Sequence, residues 1–319
     1  MAEKRKSTTG RQGQKKRTSS KRRSKTRRKG KSKASWLIIV LLLVIYYVIT
    51  NMKNGNILPA EGEIKVHYID VGQGDCIFIT DGNENMLIDC GESENTPRAV
   101  QYLNNLGVKK LDYVVGTHPH SDHMGGMAQI IETFDIGEFI IPHLDDSDIP
   151  TTVYFNKFLD AVEKYKVDLK EAKVGREINI GEAKCEIIAP NSEKYNDVNN
   201  YSVGIILYHG QNSFIFTGDA EALAEREMLD TGRLHKINVY KAGHHGSSSS
   251  SSDAFLKVID PDVAVISCGA GNKYGHPNES TMKRLESYTD QIYRTDLCGN
   301  IVISSDGEQL SVSTERNSR

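Results

Sequence analysis

Ten residues hold the most specific pattern in this sequence: Thr117-His118-Pro119-His120-Ser121-Asp122-His123-Met124-Gly125-Gly126. They follow Leu111–Val115, which reads as a buried strand, and lead into helical spacing at Met124–Phe134. Imidazole nitrogens and a carboxylate oxygen suit zinc, iron or manganese. Because HxHxDH seldom arises by chance, the segment predicts a metal site in a loop at a strand end rather than a solvated polar loop.

Strands and helices are predicted to alternate on both sides of this segment. Apolar alternation predicts strands at Ile64–Ile69, Cys76–Thr80, Met86–Asp89, Leu111–Val115, Glu138–Ile141, Cys185–Ala189, Ser202–His209, Phe214–Thr217, Ile237–Tyr240, Val263–Ser267, Gln291–Thr295 and Ile301–Ser304. Helical spacing and end signals predict helices at Pro97–Leu106, Met124–Phe134, Val153–Tyr165, Glu221–Leu229, Ala254–Ile259 and Glu279–Tyr288. Since hairpins are mixed with helices, the predicted class is α/β (α+β), with two sheets covered by helices.

Charge divides the chain into a basic tail and an acidic body. Residues 1–33 hold 16 of the 40 Lys and Arg and one acid, Glu3, whereas the remainder holds 24 basic and 41 acidic side chains. The tail has no apolar spacing, so it is predicted to be disordered. With 38% hydrophobic residues, the chain is not fibrous or wholly disordered, and residues 63–319 are expected to form one domain.

An uncharged apolar run separates the tail from the body. It extends over residues 34–50, long enough for a short membrane span, and residues 51–62 read as a linker. A cleaved signal peptide is the alternative, but no Ala-x-Ala follows the run. Since the basic residues precede the span, the positive-inside rule predicts a single-pass membrane protein. The tail would lie in the cytoplasm against anionic lipid, and the body outside it.

The motifs together resemble the metallo-β-lactamase superfamily. Met86-Leu-Ile-Asp-Cys-Gly91, His118–Gly126, Phe214-Ile-Phe-Thr-Gly-Asp219 and Lys241-Ala-Gly-His-His-Gly-Ser247 are similar to its successive motifs. More narrowly, the chain resembles the metallo-β-lactamase domain of ComEC-type competence proteins, through Tyr68–Asp75, Asn200-Tyr-Ser-Val203 and Tyr274-Gly-His-Pro277 as well. The resemblance implies a four-layer αββα sandwich. Those relatives are polytopic channels, so with one candidate span this chain is not expected to form a DNA channel.

The resemblance also implies the ligands of one or two divalent ions, zinc or manganese. His118 and His120 would bind one ion, and Asp122 and His123 a second. Asp219 would bridge the ions, His245 or His244 would complete the second site, and Asp89 would orient the ligands from behind. Asp122 would also orient the attacking water or handle its proton, so it is a catalytic candidate.

One family ligand is missing. Hydrolytic members usually have a histidine shortly before the strand that ends in the bridging aspartate, but this chain reads Asp197-Val-Asn-Asn-Tyr-Ser202 there. Asn199 or Asn200 would be a weaker ligand than imidazole. The number and identity of the metal ions therefore stay open, and a harder ion such as manganese becomes more plausible.

Several residues near these motifs are candidates for contact with substrate. Ser247–Ser252 reads either as a flexible loop that ends in a helix cap, Ser252 or Asp253, or as hydroxyl and N–H donors for phosphate. Lys241 would add positive charge there. His276 would protonate a leaving group or touch substrate, although a lone histidine is as often structural. The candidates for substrate binding are Asn200, Ser202, Lys241 and Ser247.

The expected activity is metal-dependent hydrolysis, and by resemblance the substrate is a nucleic-acid phosphodiester, DNA. An acidic body repels a polyanion, so this substrate requires basic residues around the site. A small phosphoester, nucleotide or lactone ester is the alternative substrate. Two further classes stay open: a non-catalytic module that binds nucleic acid or a surface partner, and a structural protein that acts through its basic tail. No protein partner is indicated.

Overall fold

The computed structural model describes Trp36 and residues 39–42, 59–145 and 148–317. The chain falls into two units, Met1–Tyr47 and Val48–Arg319. In the first unit, Trp36 and residues 39–42 are helical. The predicted tail, most of the predicted span and most of the linker lie outside the described residues. Within the described part of the chain, no helix has both the length and the apolar character that crossing a bilayer requires.

The first sheet of the second unit contains eight strands of the described region. They are β1 (Ile64–Tyr68), β2 (Ile77–Thr80), β3 (Asn85–Ile88), β4 (Lys110–Val115), β5 (Asp135–Ile141), β6 (Leu169–Glu171), β14 (Ile301–Ser305) and β15 (Leu310–Thr314), in the spatial order β15-β14-β1-β2-β3-β4-β5-β6. From β3 to β6 neighbouring strands are parallel, and the other pairs are antiparallel.

The second sheet contains seven strands of the same region. They are β7 (Glu177–Ile180), β8 (Ala183–Ala189), β9 (Gly204–His209), β10 (Asn212–Phe216), β11 (Val239–Lys241), β12 (Val263–Ile266) and β13 (Ile292–Arg294), in the order β13-β12-β11-β10-β9-β8-β7. Strands β10 to β13 are parallel, while β7 to β10 form antiparallel pairs.

Helices cover the outer faces of both sheets. They are α1 (Thr96–Asn105), α2 (Ser121–Met124), α3 (Met127–Thr133), α4 (Val153–Tyr165), α5 (Ala222–Asp230), α6 (Asp253–Ile259), α7 (Glu279–Glu286) and α8 (Thr295–Cys298). One apolar cluster lies between the sheets, a second packs α1, α3 and α4 on the first sheet, and a third packs α5, α6 and α7 on the second. These three interfaces separate four layers, in the predicted order helix, sheet, sheet, helix.

The structure differs from the sequence prediction in the bounds of one helix and in the number of strands. The helix predicted over Met124–Phe134 is divided into α2 and α3, and its start shifts to Ser121. A side chain at Gly126, between the two, would meet Thr96 Oγ1 at 1.7 Å, so the backbone passes too close to α1 for any other residue. Strands β6, β7 and β15 lie where no strand was predicted.

Candidate metal centre

The motif residues come together because each follows a strand at the same edge of the sandwich. Asp89 follows β3 and His118 follows β4, its parallel neighbour. In the second sheet, Asp219 follows β10 and the turn with His244 and His245 follows the parallel strand β11. Carboxyl ends of parallel strands share one edge, where α/β proteins bind their ligands.

Two buried histidines, His123 and His245, point their Nε2 atoms toward this edge of the sandwich. Nδ1 of His245 lies 3.0 Å from the carbonyl oxygen of Ser267, and because a carbonyl only accepts, Nδ1 carries the proton. Nδ1 of His123 lies 2.7 Å from Asp89 Oδ2. The two Nε2 atoms are 3.2 Å apart, so in the neutral rings two lone pairs face each other. This arrangement is repulsive while both rings are neutral, and a proton or a metal ion between the two nitrogens removes the repulsion.

Two carboxylates complete the arrangement. Asp219 Oδ2 lies 3.2 Å from Nε2 of His123, and Asp219 Oδ1 lies 3.5 Å from Nε2 of His245. Asp122 Oδ2 lies 3.4 Å from the same nitrogen of His245. Asp219 Oδ1 is buried without a hydrogen-bond partner. An orphaned carboxylate oxygen beside two imidazole lone pairs fits a divalent cation, which these four residues would hold.

His118 and His120 form a second pair of nitrogen donors. Nε2 of His118 lies 3.0 Å from Nδ1 of His120 and 3.9 Å from Asp219 Oδ2. The ring of His118 is buried and held from behind, where Nδ1 meets the hydroxyl groups of Thr117, at 3.2 Å, and Ser202, at 3.4 Å. His118 therefore approaches Asp219 from the first sheet, with His120 beside it.

Asp89 supports His123 from behind. It is fully buried with a φ of 57°, and it accepts hydrogen bonds from the backbone N–H and the hydroxyl of Thr117 as well as facing Nδ1 of His123. Carboxylates in this position fix the ring orientation of a ligand histidine. The structure therefore places Asp89 against His123 Nδ1, on the side of the ring away from Nε2.

Sequence reasoning missed a second supporting carboxylate, Asp75. It is buried beside the Nδ1 atoms, 3.3 Å from that of His245 and 3.9 Å from that of His123. Its other partner is the ammonium group of Lys241, which is fully buried. Asp75 also lies near Asp219, in a cluster with His123 and His245 whose candidate ligand atoms are within 4.8 Å of one another. Because its carboxylate is paired with Lys241 and faces the Nδ1 atoms of both rings, it acts as a support rather than a ligand. The lysine at the end of the otherwise apolar strand β11 was the signal in the sequence that could have revealed the Asp75–Lys241 ion pair.

The electrostatics favour positive charge at this site. Burial lowers the pKa of His123, but Asp219 and Asp89 outweigh it and raise that pKa well above 6.5. Against the same effect of burial, Asp219 and Asp75 raise the pKa of His245 to about 9. The pKa of His118, which burial dominates, is well below 6.5. Carboxylates that draw protons onto buried imidazoles attract a metal ion in place of those protons.

A comparison with protein families decides the classification. The sequence model of the metallo-beta-lactamase superfamily matches residues 69–270. The chain belongs to this superfamily. Its relatives include a competence protein, as the resemblance implied: Competence protein ComA of Neisseria gonorrhoeae is 29% identical over 75% of this chain and 32% of its own length. ComE operon protein 3 of Bacillus subtilis is 29% identical over 262 residues, which are 76% of this chain and 33% of the relative. Recombination protein 2 of Haemophilus influenzae is 28% identical over 79% of this chain and 30% of its own length.

The chain spans about a third of the length of these relatives. A shorter match, 39% identical over 62 residues and 19% of each chain, is to ribonuclease Z of Archaeoglobus fulgidus. Among solved structures, CmlA, a diiron β-hydroxylase from Streptomyces venezuelae, has a TM-score of 0.50 at 14% identity over 74% of this chain and 53% of its own. At that identity the likeness establishes the shared fold alone.

The candidate metal centre lies in an open cleft formed by loops of both sheets. It is lined by Gln73, His120, Ser121, Asp122, Thr152, Tyr154, Asp219, His244, His245, Tyr274 and His276. Sequence reasoning missed Gln73, Thr152 and the two tyrosines. Tyr274 is 52% exposed and stacks on His276. None of these lining residues, all within the described ranges, is Lys or Arg, so the basic rim expected for a nucleic-acid site is not found among them.

The four residues predicted to bind substrate do not line this cleft, and this part of the prediction is corrected. Asn200 accepts backbone N–H groups of Glu221 and Ala224 at the start of α5. The Ser202 hydroxyl accepts the N–H of Asp219. Lys241 is fully buried against Asp75, and Ser247 is buried with its hydroxyl near that of Ser249. Their polar atoms hold the loops that carry the ligands.

The serine run is an ordered loop rather than a flexible one. Glu225 accepts the N–H groups of Ser251 and Ser252, and Arg284 donates to carbonyl groups of the run. Ser252 is the predicted cap of α6, since its hydroxyl accepts the N–H of Phe255. The loop is therefore a rigid support behind the turn that carries His244 and His245.

His276 lies in the cleft, but its surroundings favour one of its two predicted roles. Its ring centroid is 5.5 Å from that of His244, and its Nδ1 is buried without a partner. Burial, together with positive charge on His245 and His244, lowers its pKa to about 4. A ring that is neutral at neutral pH can hydrogen-bond to substrate, but it lacks the extra proton that a leaving group would need.

Proposed function

We propose that this chain is a metal-dependent hydrolase that cleaves phosphodiester bonds of DNA. The observation that carries the proposal is the convergence of imidazole nitrogens and carboxylate oxygens from His118, His120, His123, Asp122, Asp219 and His245 at an open cleft. The choice of DNA is supported by relatives whose names refer to recombination and competence. The ribonuclease match supports phosphodiester chemistry in general.

The residues have separate roles in this chemistry. A divalent ion held here would supply an acidified water and stabilise negative charge on phosphate oxygens. Asp122 reaches the cleft, and its pKa is held well below the usual range because the hydrogen bond from His245 and the charge of His123 outweigh burial. It is therefore ionised and can orient a water or accept its proton. His276 would bond to a substrate oxygen.

The substrate must bind with little help from lysine or arginine. Salt-dependent phosphate contacts normally supply most of the affinity for DNA. In this cleft, exposed Tyr274 and partly buried Tyr154 provide aromatic surface instead, on which bases can stack. The missing basic rim favours a second candidate, a small phosphoester or nucleotide, whose few charges the metal centre alone would neutralise.

We also propose that residues 34–50 anchor the enzyme in the cell membrane, with residues 1–33 in the cytoplasm against anionic lipid and the catalytic unit outside. The support is the charge distribution of the sequence and the positive-inside rule. Protease protection in intact cells tests this topology. Protease added outside the cells should digest the catalytic unit and leave the tail intact. A catalytic unit that resists digestion would contradict this topology.

The activity is tested with protein stripped of metal and then reloaded with zinc or manganese. The substrates are single-stranded DNA, duplex DNA and bis(p-nitrophenyl) phosphate, a small diester. We expect metal-dependent cleavage of DNA, reduced at least about 100-fold in Asp122→Ala, because removing one group aimed at the reacting atoms commonly costs that much.

The matched control is Asp112→Ala, which removes a carboxylate from β4 whose partners are Asn85 and Lys110. This variant should retain activity. Cleavage of the small diester alone would select the second candidate. Tight metal binding with no cleavage of any phosphoester would contradict both.

A further inference from the structure

The first pair of donors, His118 and His120, lacks the third histidine that the superfamily usually supplies from the segment before β9. Asn200 cannot replace it, because its side-chain oxygen already accepts two N–H groups of α5. Two imidazoles and one shared carboxylate oxygen give an ion three protein ligands, the number that catalytic zinc sites use, but one fewer than the superfamily usually supplies at this position. A fourth protein ligand at the cleft would restore the superfamily's usual set.

His244 is in a position to do so. Its Nε2 lies 3.5 Å from Asp219 Oδ2, the same oxygen that lies 3.9 Å from Nε2 of His118. Nε2 of His245 lies 3.5 Å from the other oxygen, Oδ1, and 3.4 Å from Asp122. The adjacent histidines therefore approach opposite oxygens of one carboxylate.

The backbone of the turn Gly243–Gly246 produces this divergence. His244 and His245 have φ angles of 49° and 55°, in the left-handed region that residues with a side chain rarely adopt. Two such residues in succession cost free energy, which persists only where the surroundings impose the conformation. Their ring centroids are 6.1 Å apart and the ring planes are inclined at 75°.

The other ring nitrogen of His244 is already occupied on the far side. Its Nδ1 lies 3.3 Å from the hydroxyl of Ser249, in the ordered serine loop, and the backbone N–H of His244 donates to the carbonyl oxygen of Gly218. These contacts hold the ring with Nε2 toward Asp219. The side chain remains 20% exposed at the cleft, so an ion can reach it.

We infer that the two histidines belong to different metal positions. His244 joins His118, His120 and Asp219 Oδ2 to hold one divalent cation, and thereby replaces the absent histidine. His245 joins His123, whose Nε2 is 3.2 Å from its own, together with Asp122 and Asp219, to hold the other. This inference rests on the metal-dependent hydrolase proposed above, and what it adds is a ligand role for His244 at the first position.

The test counts bound zinc ions per folded chain by elemental analysis after dialysis, with circular dichroism to verify folding. Wild-type protein should bind two ions, and His244→Ala and His245→Ala one each. The double variant His118→Ala/His244→Ala should still bind one, because both changes affect the same position. The double variant His244→Ala/His245→Ala should bind none. His276→Ala, which alters a neighbouring ring in the cleft, is the matched control and should bind two.

The outcomes separate this inference from the proposed function. Two ions retained in His244→Ala, or loss of an ion in Asn199→Ala instead, would overturn the assignment of His244. One ion in the wild-type protein would overturn the two positions but leave metal-dependent hydrolysis standing. No ion in the wild-type protein would overturn the proposed function itself.

Discussion

Buried histidines in this protein differ because of the groups that face them. His67 and His123 are both fully buried. Nδ1 of His67 meets the hydroxyl of Tyr102, and burial with the nearby charge of Lys65 lowers its pKa to about 3. His123 faces Asp89 and Asp219, which raise its pKa. Burial alone thus produces a neutral core histidine, and only carboxylates in contact with the ring produce a cation-binding one.

His67 is expected to make the stability of the fold depend on pH. Its folded pKa is about 3, below the unfolded value of 6.5, so its contribution is complete above pH 6.5 and is lost as the pH falls toward 3. At pH 5 the loss is about 2 kcal/mol, from 1.36 kcal/mol per pKa unit. Urea unfolding of the metal-free protein at pH 7 and pH 5 measures this loss. Between these two pH values, the free energy of unfolding should fall by about 2 kcal/mol less in His67→Asn than in the wild type.

The control for this prediction is His235→Asn, because His235 is exposed. It should keep the wild-type difference between pH 7 and pH 5. Equal pH dependence in wild type and His67→Asn would show that the imidazole of His67 does not stay neutral in the folded protein.

At the scale of elements, the site depends on contacts between the two sheets. Asp75 precedes β2 in the first sheet, and Lys241 ends β11 in the second, so their ion pair joins the sheets directly behind the ligand histidines. The turn before β2 also approaches the ligands closely. A side chain at Gly74, with a φ of 122°, would meet the carbonyl oxygen of Asp122 at 2.1 Å. Glycine at this position lets the two loops pack together.

Removal of Lys241 should destabilise the fold more than removal of the whole pair. Lys241→Met leaves the carboxylate of Asp75 buried and unpaired, which costs about 3–5 kcal/mol for comparable buried pairs. The double variant Asp75→Asn/Lys241→Met removes both charges and should recover most of that loss. Guanidinium unfolding of the metal-free proteins measures the difference.

The matched control is Lys184→Met, which breaks an exposed pair with Glu177 and should change stability by less than about 1 kcal/mol. A double variant no more stable than Lys241→Met would show that the cost comes from lost packing of the lysine stem and not from an unpaired charge.

Elements were predictable from sequence where the apolar pattern was long and strong. The strands next to the ligands, β3, β4 and β10, lie within one or two residues of their predicted bounds. The three missed strands are sheet edges with short or weak patterns: Leu169-Lys-Glu171, Glu177-Ile-Asn-Ile180 and Leu310-Ser-Val-Ser-Thr314. Half-exposed edge strands carry few apolar residues, so a search for hydrophobic alternation detects them poorly.

At the scale of the whole molecule, the sequence separates positive charge from the catalytic unit. The tail holds 16 Lys and Arg, whereas the cleft's described lining has no cationic lysine or arginine. In detergent, where no membrane separates the tail from the body, electrostatic affinity for a polyanion should therefore come from the tail, and turnover from the body.

Deletion of residues 1–33 should make DNA binding weaker and nearly independent of salt, without changing kcat. Each phosphate contact contributes to the slope of affinity against salt concentration, and the deletion removes 16 candidate contacts. Fluorescence anisotropy between about 50 and 200 mM salt, with the full chain in detergent as reference, measures the slope. A chain with the tail residues in shuffled order should keep the wild-type slope. A steep slope after deletion would place the cationic contacts on the body.

The sequence by itself determined the types of ligand, their order along the chain and their places after strands, because strand ends and metal-binding residues are local patterns. Tertiary structure alone decided which oxygen of Asp219 each histidine approaches and that Lys241 is buried against Asp75. His123 and His245 are 122 positions apart, and Asp75 and Lys241 are 166 apart. Contacts over such separations depend on how the two sheets pack, and no local pattern of residues encodes that distance.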